Sequence, residues 1–140
     1  MTQIRTELVM WQTHRDQLSK IRLTVFVEEQ DVPIDEEWDE WDESSWHWLA
    51  YDANDNAVGT ARLTSEGQIG RMAVIKEYRG KGVGTQLLTS ALTESRAHFQ
   101  TVFLHAQTQV IEFYQRAGFE LAGPVFNEAG IAHQKMTLKY

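Results

Sequence analysis

Gly80, Gly82 and Gly84 alternate through the segment Arg79-Gly80-Lys81-Gly82-Val83-Gly84, after a predicted strand and before a predicted helix. The first turn of a helix carries N–H groups with no intrahelical partner, and aligned peptide dipoles add partial positive charge there. Glycine lets a ligand approach the backbone and allows dihedrals that other residues avoid. Arg79 and Lys81 add cationic flanks. Together these residues offer a cradle for linked phosphates. A nucleoside-triphosphate loop needs G-x-x-x-x-G-K-[ST], an order this segment lacks. A dinucleotide fold needs G-x-G-x-x-G after the first strand of a parallel βαβ unit. Here the third glycine comes too early, and the preceding strands read as antiparallel. Taken alone, the loop is also compatible with a glycine-rich turn that binds nothing.

The elements around the loop follow from hydrophobic period. Val83, Leu87, Leu88, Ala91 and Leu92 form the buried stripe of a helix running to about His98. Upstream, Gln3 to Trp11 reads as a strand and His14 to Val27 as an amphipathic helix. Trp46–Tyr51, Val58–Thr64 and Gln68–Val74 are predicted strands, the last two a hairpin across Ser65-Glu66-Gly67. Asp52 to Asn56 is a turn. Downstream come a strand over Thr101–Ala106, a short helix over Val110–Ala117, and strands over Phe119–Ala122 and Ile131–Leu138. A Gly- and Pro-containing loop is expected between those last two strands. The order gives an α+β domain with a mixed sheet.

The chain has 140 residues, 42% hydrophobic and 24% charged, which is a globular composition and fits one domain over residues 1–140. Its net charge of -7 argues against non-specific binding to nucleic-acid phosphates. Met1 to Trp11 holds no basic run followed by an apolar core, and no stretch is apolar enough to span a membrane, so a cytoplasmic protein is expected. There is no Cys, which removes disulfides and a thiolate nucleophile. His14, His47, His98, His105 and His133 show no metal-ligand spacing, so no metal is expected.

Arg79 to Gly84 matches the R/Q-x-x-G-x-G/A signature and so resembles the GNAT superfamily of N-acetyltransferases. Phe113-Tyr114-Gln115-Arg116-Ala117-Gly118-Phe119 is similar to that family's FY-x-x-x-GF segment, and Met72-Ala73-Val74 stands where its bulged fourth strand falls. Arg22 to Gln30 with Pro33, and Glu128 to Met136, resemble the ElaA-like branch. The resemblance covers nearly the whole chain. It implies a mostly antiparallel sheet flanked by helices, with the fourth strand splayed from the fifth. Acetyl-CoA would be the cosubstrate and a small-molecule or peptide amine the acceptor. Backbone groups of Met72 and Val74 would bond the pantetheine arm, and the N–H groups of Arg79, Gly80, Lys81, Gly82, Val83, Gly84 and Thr85 would hold the pyrophosphate. An N–H near Met72 or Ala73 would stabilise the oxyanion. Phe113 would line the cofactor side. Many relatives carry an Asn after strand five; Gln107 stands nearby with a longer reach.

By the same resemblance Tyr114 would protonate the departing thiolate. With no Cys and no Ser–His pair evident, direct transfer in a ternary complex is expected. At pH 7 only about one lysine-like amine in 2,500 is neutral, so freeing the nucleophile costs roughly 4.6 kcal/mol. A carboxylate or imidazole must therefore take a proton, and the candidates are Glu28, Asp39, Asp42, His47, Glu128 and His133, with Glu128 and His133 in the branch-like segment.

Ten of the twenty acidic residues lie between Glu28 and Glu43, with no Lys or Arg among them. Trp38 and Trp41 sit inside this run and Trp46 and Trp48 follow it. One reading is an acceptor-pocket wall that draws a cation; the other is a solvated loop anchored by its indoles. Three functions stay open: an N-acetyltransferase, a non-catalytic CoA-binding sensor, or an interaction module. Homodimerisation is compatible with the sequence but not derivable from it.

Overall fold

In the computed structural model, residues 3–140 are described, and their apolar periodicities sort into seven strands and four α-helices. β1 (Arg5–Val9) leads into α1 (Trp11–Arg22), which continues as a π-helical segment over Leu23–Glu29. α2 (Ile34–Glu37) and a 3₁₀ turn at Asp42–Ser44 carry the acidic run. β2 (Trp46–Tyr51), β3 (Ala57–Leu63) and β4 (Gln68–Val74) follow, then α3 (Val83–Arg96), β5 (Thr101–Gln107), α4 (Ile111–Arg116), β6 (Glu120–Glu128) and β7 (Ile131–Lys139).

The sheet order is β1-β2-β3-β4-β5-β7-β6, antiparallel throughout except at β4–β5. One face buries Val83, Leu87, Leu88 and Ala91 of α3 against strand residues such as Ala61, Ile69, Leu104 and Met136. The other packs Trp11, Leu18, Ile21 and Val25 on Leu49, Tyr51 and Ala73. This two-layer burial holds the sheet between α1 and α3.

The expected bulge is present. Thr60 pairs with Ala73 but Arg62 pairs with Gly70, so β4 carries one extra residue, and Arg71 takes a φ of 47°. β4 and β5 are paired only at Gln68↔Phe103 and Ile69↔Leu104. Beyond Ile69 the two strands diverge, so the mixed sheet expected from the order of elements and the bulged, splayed fourth strand implied by the resemblance are both observed.

Two local expectations are corrected. Trp11 opens α1 and does not end β1; it is 4% exposed, under the Arg22 guanidinium at 5.3 Å. Burial of one indole outweighed the weak alternation. The strand expected to stop at Ala122 runs on to Glu128 through Gly123 and Pro124. β6 is an edge strand, where proline's missing donor is tolerated, and the register slips between Leu121 and Val125 to absorb the pair.

Candidate active site

The divergence of β4 from β5 opens a cleft of about 940 Å³. The glycine loop closes one end, the acidic segment and the π-helical turn wall one side, and β5, β6 and β7 the other.

At the loop, Gly80 and Gly82 have φ of 74° and 81°, and a Cβ on either would meet nothing within 4 Å. Glycine is therefore required here for conformation and not for room. The first helical bond of α3 runs from Gln86 N–H to Gly82 O. The amides of Val83, Gly84 and Thr85 precede it and belong to the unpaired first turn. The amide of Arg79 donates to Lys76 O at 3.3 Å, so the free series starts at Gly80. The Arg79 guanidinium donates to Val74 O at 2.9 Å and to both oxygens of Glu29 at 2.6 and 2.8 Å, spanning from the glycine loop to the π-helical turn. Gly84 faces Phe113, whose Cζ would lie 3.6 Å from an added Cβ.

Tyr114 projects from α4 into the same cleft. Its ring packs against Phe113 and Phe119 at 5.1 and 6.0 Å, and its hydroxyl donates weakly to Met72 Sδ at 3.7 Å. Burial pushes the phenol up to about 12, which keeps it a proton donor at every physiological pH. Met72 and Tyr114 thus meet where the bulge parts the strands. Gln107 donates to Gln30 at 3.0 Å and accepts from Gln109 at 2.8 Å, bridging the cleft through side-chain amides.

The acidic segment lines the cleft through Glu36, Glu37, Asp39 and Trp41, and three of its carboxylates, Glu37, Asp39 and Asp42, are paired with arginines. Arg22, fully buried, donates to Asp42 at 2.9 and 3.0 Å and to Glu37 O at 2.6 Å, with its Nε 2.6 Å from Glu37 Oε1. Arg62 donates to Asp39 and Asp42 at 2.6 and 3.1 Å, and Arg71 to Asp39 at 2.9 Å. Burial pushes the Asp42 carboxyl up, but bonds and charge from Arg22 and Arg62 outweigh it and hold it below the usual range. Glu37 goes the other way: burial raises it more than Arg22 lowers it. Of the tryptophans, Trp48 is core, Trp46 stacks on His98 at 4.7 Å, and Trp38 is 53% exposed.

These contacts sort the proton-acceptor candidates. Asp42 is buried between two arginines. His47 is 1% exposed and donates Nε2–H to Asp42 O at 2.7 Å, with burial holding it below its ordinary value. Neither it nor Glu28 borders the cleft. Asp39 borders it but is engaged by Arg62 and Arg71. Glu128 and His133 both border the cleft from the β6–β7 side. His133 is 7% exposed and donates Nδ1–H to Ile131 O at 2.7 Å. Sequence reasoning passed over His105, whose Nδ1 lies 3.0 Å from Glu128 Oε2. The two are 23 residues apart, and only the β5–β7–β6 register brings them together.

Among the described residues no group of three or more His, Asp or Glu side chains could hold a metal ion, and no helix is long and apolar enough to cross a membrane.

Residues 14–140 match the family model described as "Acetyltransferase (GNAT) domain". The chain is 33% identical to protein ElaA of Escherichia coli (strain K12) over 144 residues, covering 90% of this chain and 94% of that protein. It is 37% identical to the uncharacterised N-acetyltransferase YjcF of Bacillus subtilis (strain 168), covering 83% and 86%. The crystal structure of E. coli ElaA superposes with a TM-score of 0.86 at 30% identity over 96% of this chain and 99% of that one.

Proposed function

This chain belongs to the GNAT acetyltransferase family, and from that premise we propose that it moves the acetyl group of acetyl-CoA onto an amine by direct attack. The observation that carries the reading is the coincidence of three features in one cleft: strands parted after Ile69, unpaired loop amides at one end, and a protonated tyrosine at the parting. Acetyl-CoA supplies an activated acyl carbon and a thiolate leaving group. In this reading the amides of Gly80 to Thr85 receive the pyrophosphate, as an unpaired helix start favours anions. Backbone groups of Met72 and Val74 that β5 leaves unpaired receive the pantetheine arm, beside the Arg79 guanidinium that already donates to Val74 O. Gly84 keeps Phe113 close to the cofactor groove, and Gln107 borders its far end. An N–H near Met72 or Ala73 steadies the oxyanion, and Tyr114 gives its phenolic proton to the departing sulfur. The acceptor's proton leaves on the wall where His105, Glu128 and His133 stand.

The test is release of CoA thiol from acetyl-CoA with spermidine, glucosamine, glycylglycine and benzylamine, alongside a thermal shift with acetyl-CoA. Stabilisation with amine-dependent thiol release is expected. Stabilisation without release on any amine would favour a CoA-binding sensor, and no stabilisation would refute both.

A further inference from the structure

His105 is the first residue of β5 beyond the last β4–β5 pair, Ile69↔Leu104. It therefore stands at the fork where β4 and β5 part, the point at which the acetyl-transfer reading puts the thioester. Its neighbours Leu104 and Ala106 are buried against the α3 side, which puts His105 on the opposite face. Gln107 shares that face and reaches Gln30 at the end of the π-helical turn. The ring borders the cleft, and its side chain is 27% exposed, so an acceptor can reach it.

The ring is also oriented. Nδ1–H donates to Glu128 Oε2 at 3.0 Å, and the edge-on ring of Phe126 packs at 5.1 Å. With Nδ1 carrying the hydrogen, Nε2 keeps the lone pair. We propose that His105 Nε2 is the general base of the acetyl-transfer reaction and that Glu128 is its positioning residue. The inference rests on the acetyl-transfer reading above. An imidazole accepts a proton closer to neutral pH than a carboxylate does, and an adjacent carboxylate steadies the imidazolium that results. His133 lacks that support: it is buried and spends Nδ1–H on a neutral carbonyl. The charged and titratable groups facing His105 are Glu128 on β6, Lys135 directly opposite on β7, and His133 behind the Phe126 ring. Lys135 opposes the imidazolium, and Glu128, in hydrogen-bond contact, offsets it.

The step balances. The acceptor ammonium gives one proton to His105 Nε2, which passes it to solvent. The freed nitrogen forms the C–N bond as the C–S bond breaks, and sulfur takes the Tyr114 proton. The remaining excess proton on the new amide nitrogen restores the phenol through solvent.

The experiment uses acetyl-CoA and the fastest amine of the panel above. His105→Ala and His105→Gln are expected to lower kcat/KM at pH 7 about 100-fold or more, within the range of general-base losses. Their acetyl-CoA thermal shift should stay unchanged, and added imidazole should restore part of the His105→Ala rate. Glu128→Gln should lower kcat while leaving the amine KM and the acetyl-CoA thermal shift unchanged, a split that a merely structural contact would not give. Rates within threefold of the parent in both His105 variants, with or without a large loss in His133→Ala, would overturn the assignment while leaving acetyl transfer intact. Absence of thiol release from the parent with every amine would overturn acetyl transfer, and this inference with it.

Discussion

Replacing Tyr114 with Phe removes one proton donor and nothing else of consequence. The hydroxyl's partner is the Met72 thioether at 3.7 Å, a weak acceptor, and the ring contacts to Phe113 and Phe119 survive the change. The stability cost should therefore be about 0.5 kcal/mol or less. With the phenol near 12, only about one molecule in 10,000 is ionised at pH 8, so the parent carries its proton whenever the thiolate leaves. Loss of a positioned acid costs roughly 100- to 10,000-fold, or about 3 to 5 kcal/mol of barrier. Steady-state thiol release at saturating acetyl-CoA reads kcat, and a thermal melt with and without acetyl-CoA reads fold and binding. The expected result is a large fall in kcat with both melts nearly unchanged. The parent's pH profile should also lack an alkaline limb from this group below about pH 10. A kcat within threefold of the parent, with the protein folded and acetyl-CoA bound, would refute the role of the hydroxyl.

Two further outcomes concern the buried polar network. Arg22→Ala strands Asp42 and Glu37 without their buried partner, and loss of one member of such a pair costs about 3 to 5 kcal/mol, which a melt should register as a fall of roughly 10 °C or more. His47 is held neutral by burial while the unfolded chain takes up a proton near pH ~6.5, so its contribution is complete above that value and is lost as pH falls below it. Melts between pH 7.5 and 5.5 should show a shallower acid loss in His47→Asn than in the parent.

The glycine-loop end of the cleft was legible because it is built locally. Arg79 to Thr85 are contiguous, and glycine spacing reports directly on positive φ and on a helix start. The strands from Trp46 to Val74 were legible for the same reason, since period and turn residues adjoin in sequence. The wall formed by β5, β7 and β6 was not. The pairing of His105 with Glu128 depends on how three strands align, and no spacing within either segment announces it. Gly123-Pro124 misled because the sequence does not say that β6 lies at an edge, where a proline and a slipped register are tolerated.

The acidic run shows how far composition and arrangement can diverge. Ten carboxylates with no basic residue among them suggest a field that draws cations. Three of the ten find partners from elsewhere in the fold: Arg22 on α1, Arg62 on β3 and Arg71 on β4 pair with Glu37, Asp39 and Asp42. Those three carboxylates brace the segment against α1 and the sheet. Arg71 is the residue whose left-handed backbone makes the β4 bulge, a conformation that costs a non-glycine residue about 1 to 2 kcal/mol. Its side chain is held by Asp39 and by the carbonyls of Glu36 and Glu37. Those contacts offset the backbone cost, so the segment that walls the cleft also stabilises the bulge that opens it. Fold stability and the geometry of the parted strands therefore depend on the same three arginines.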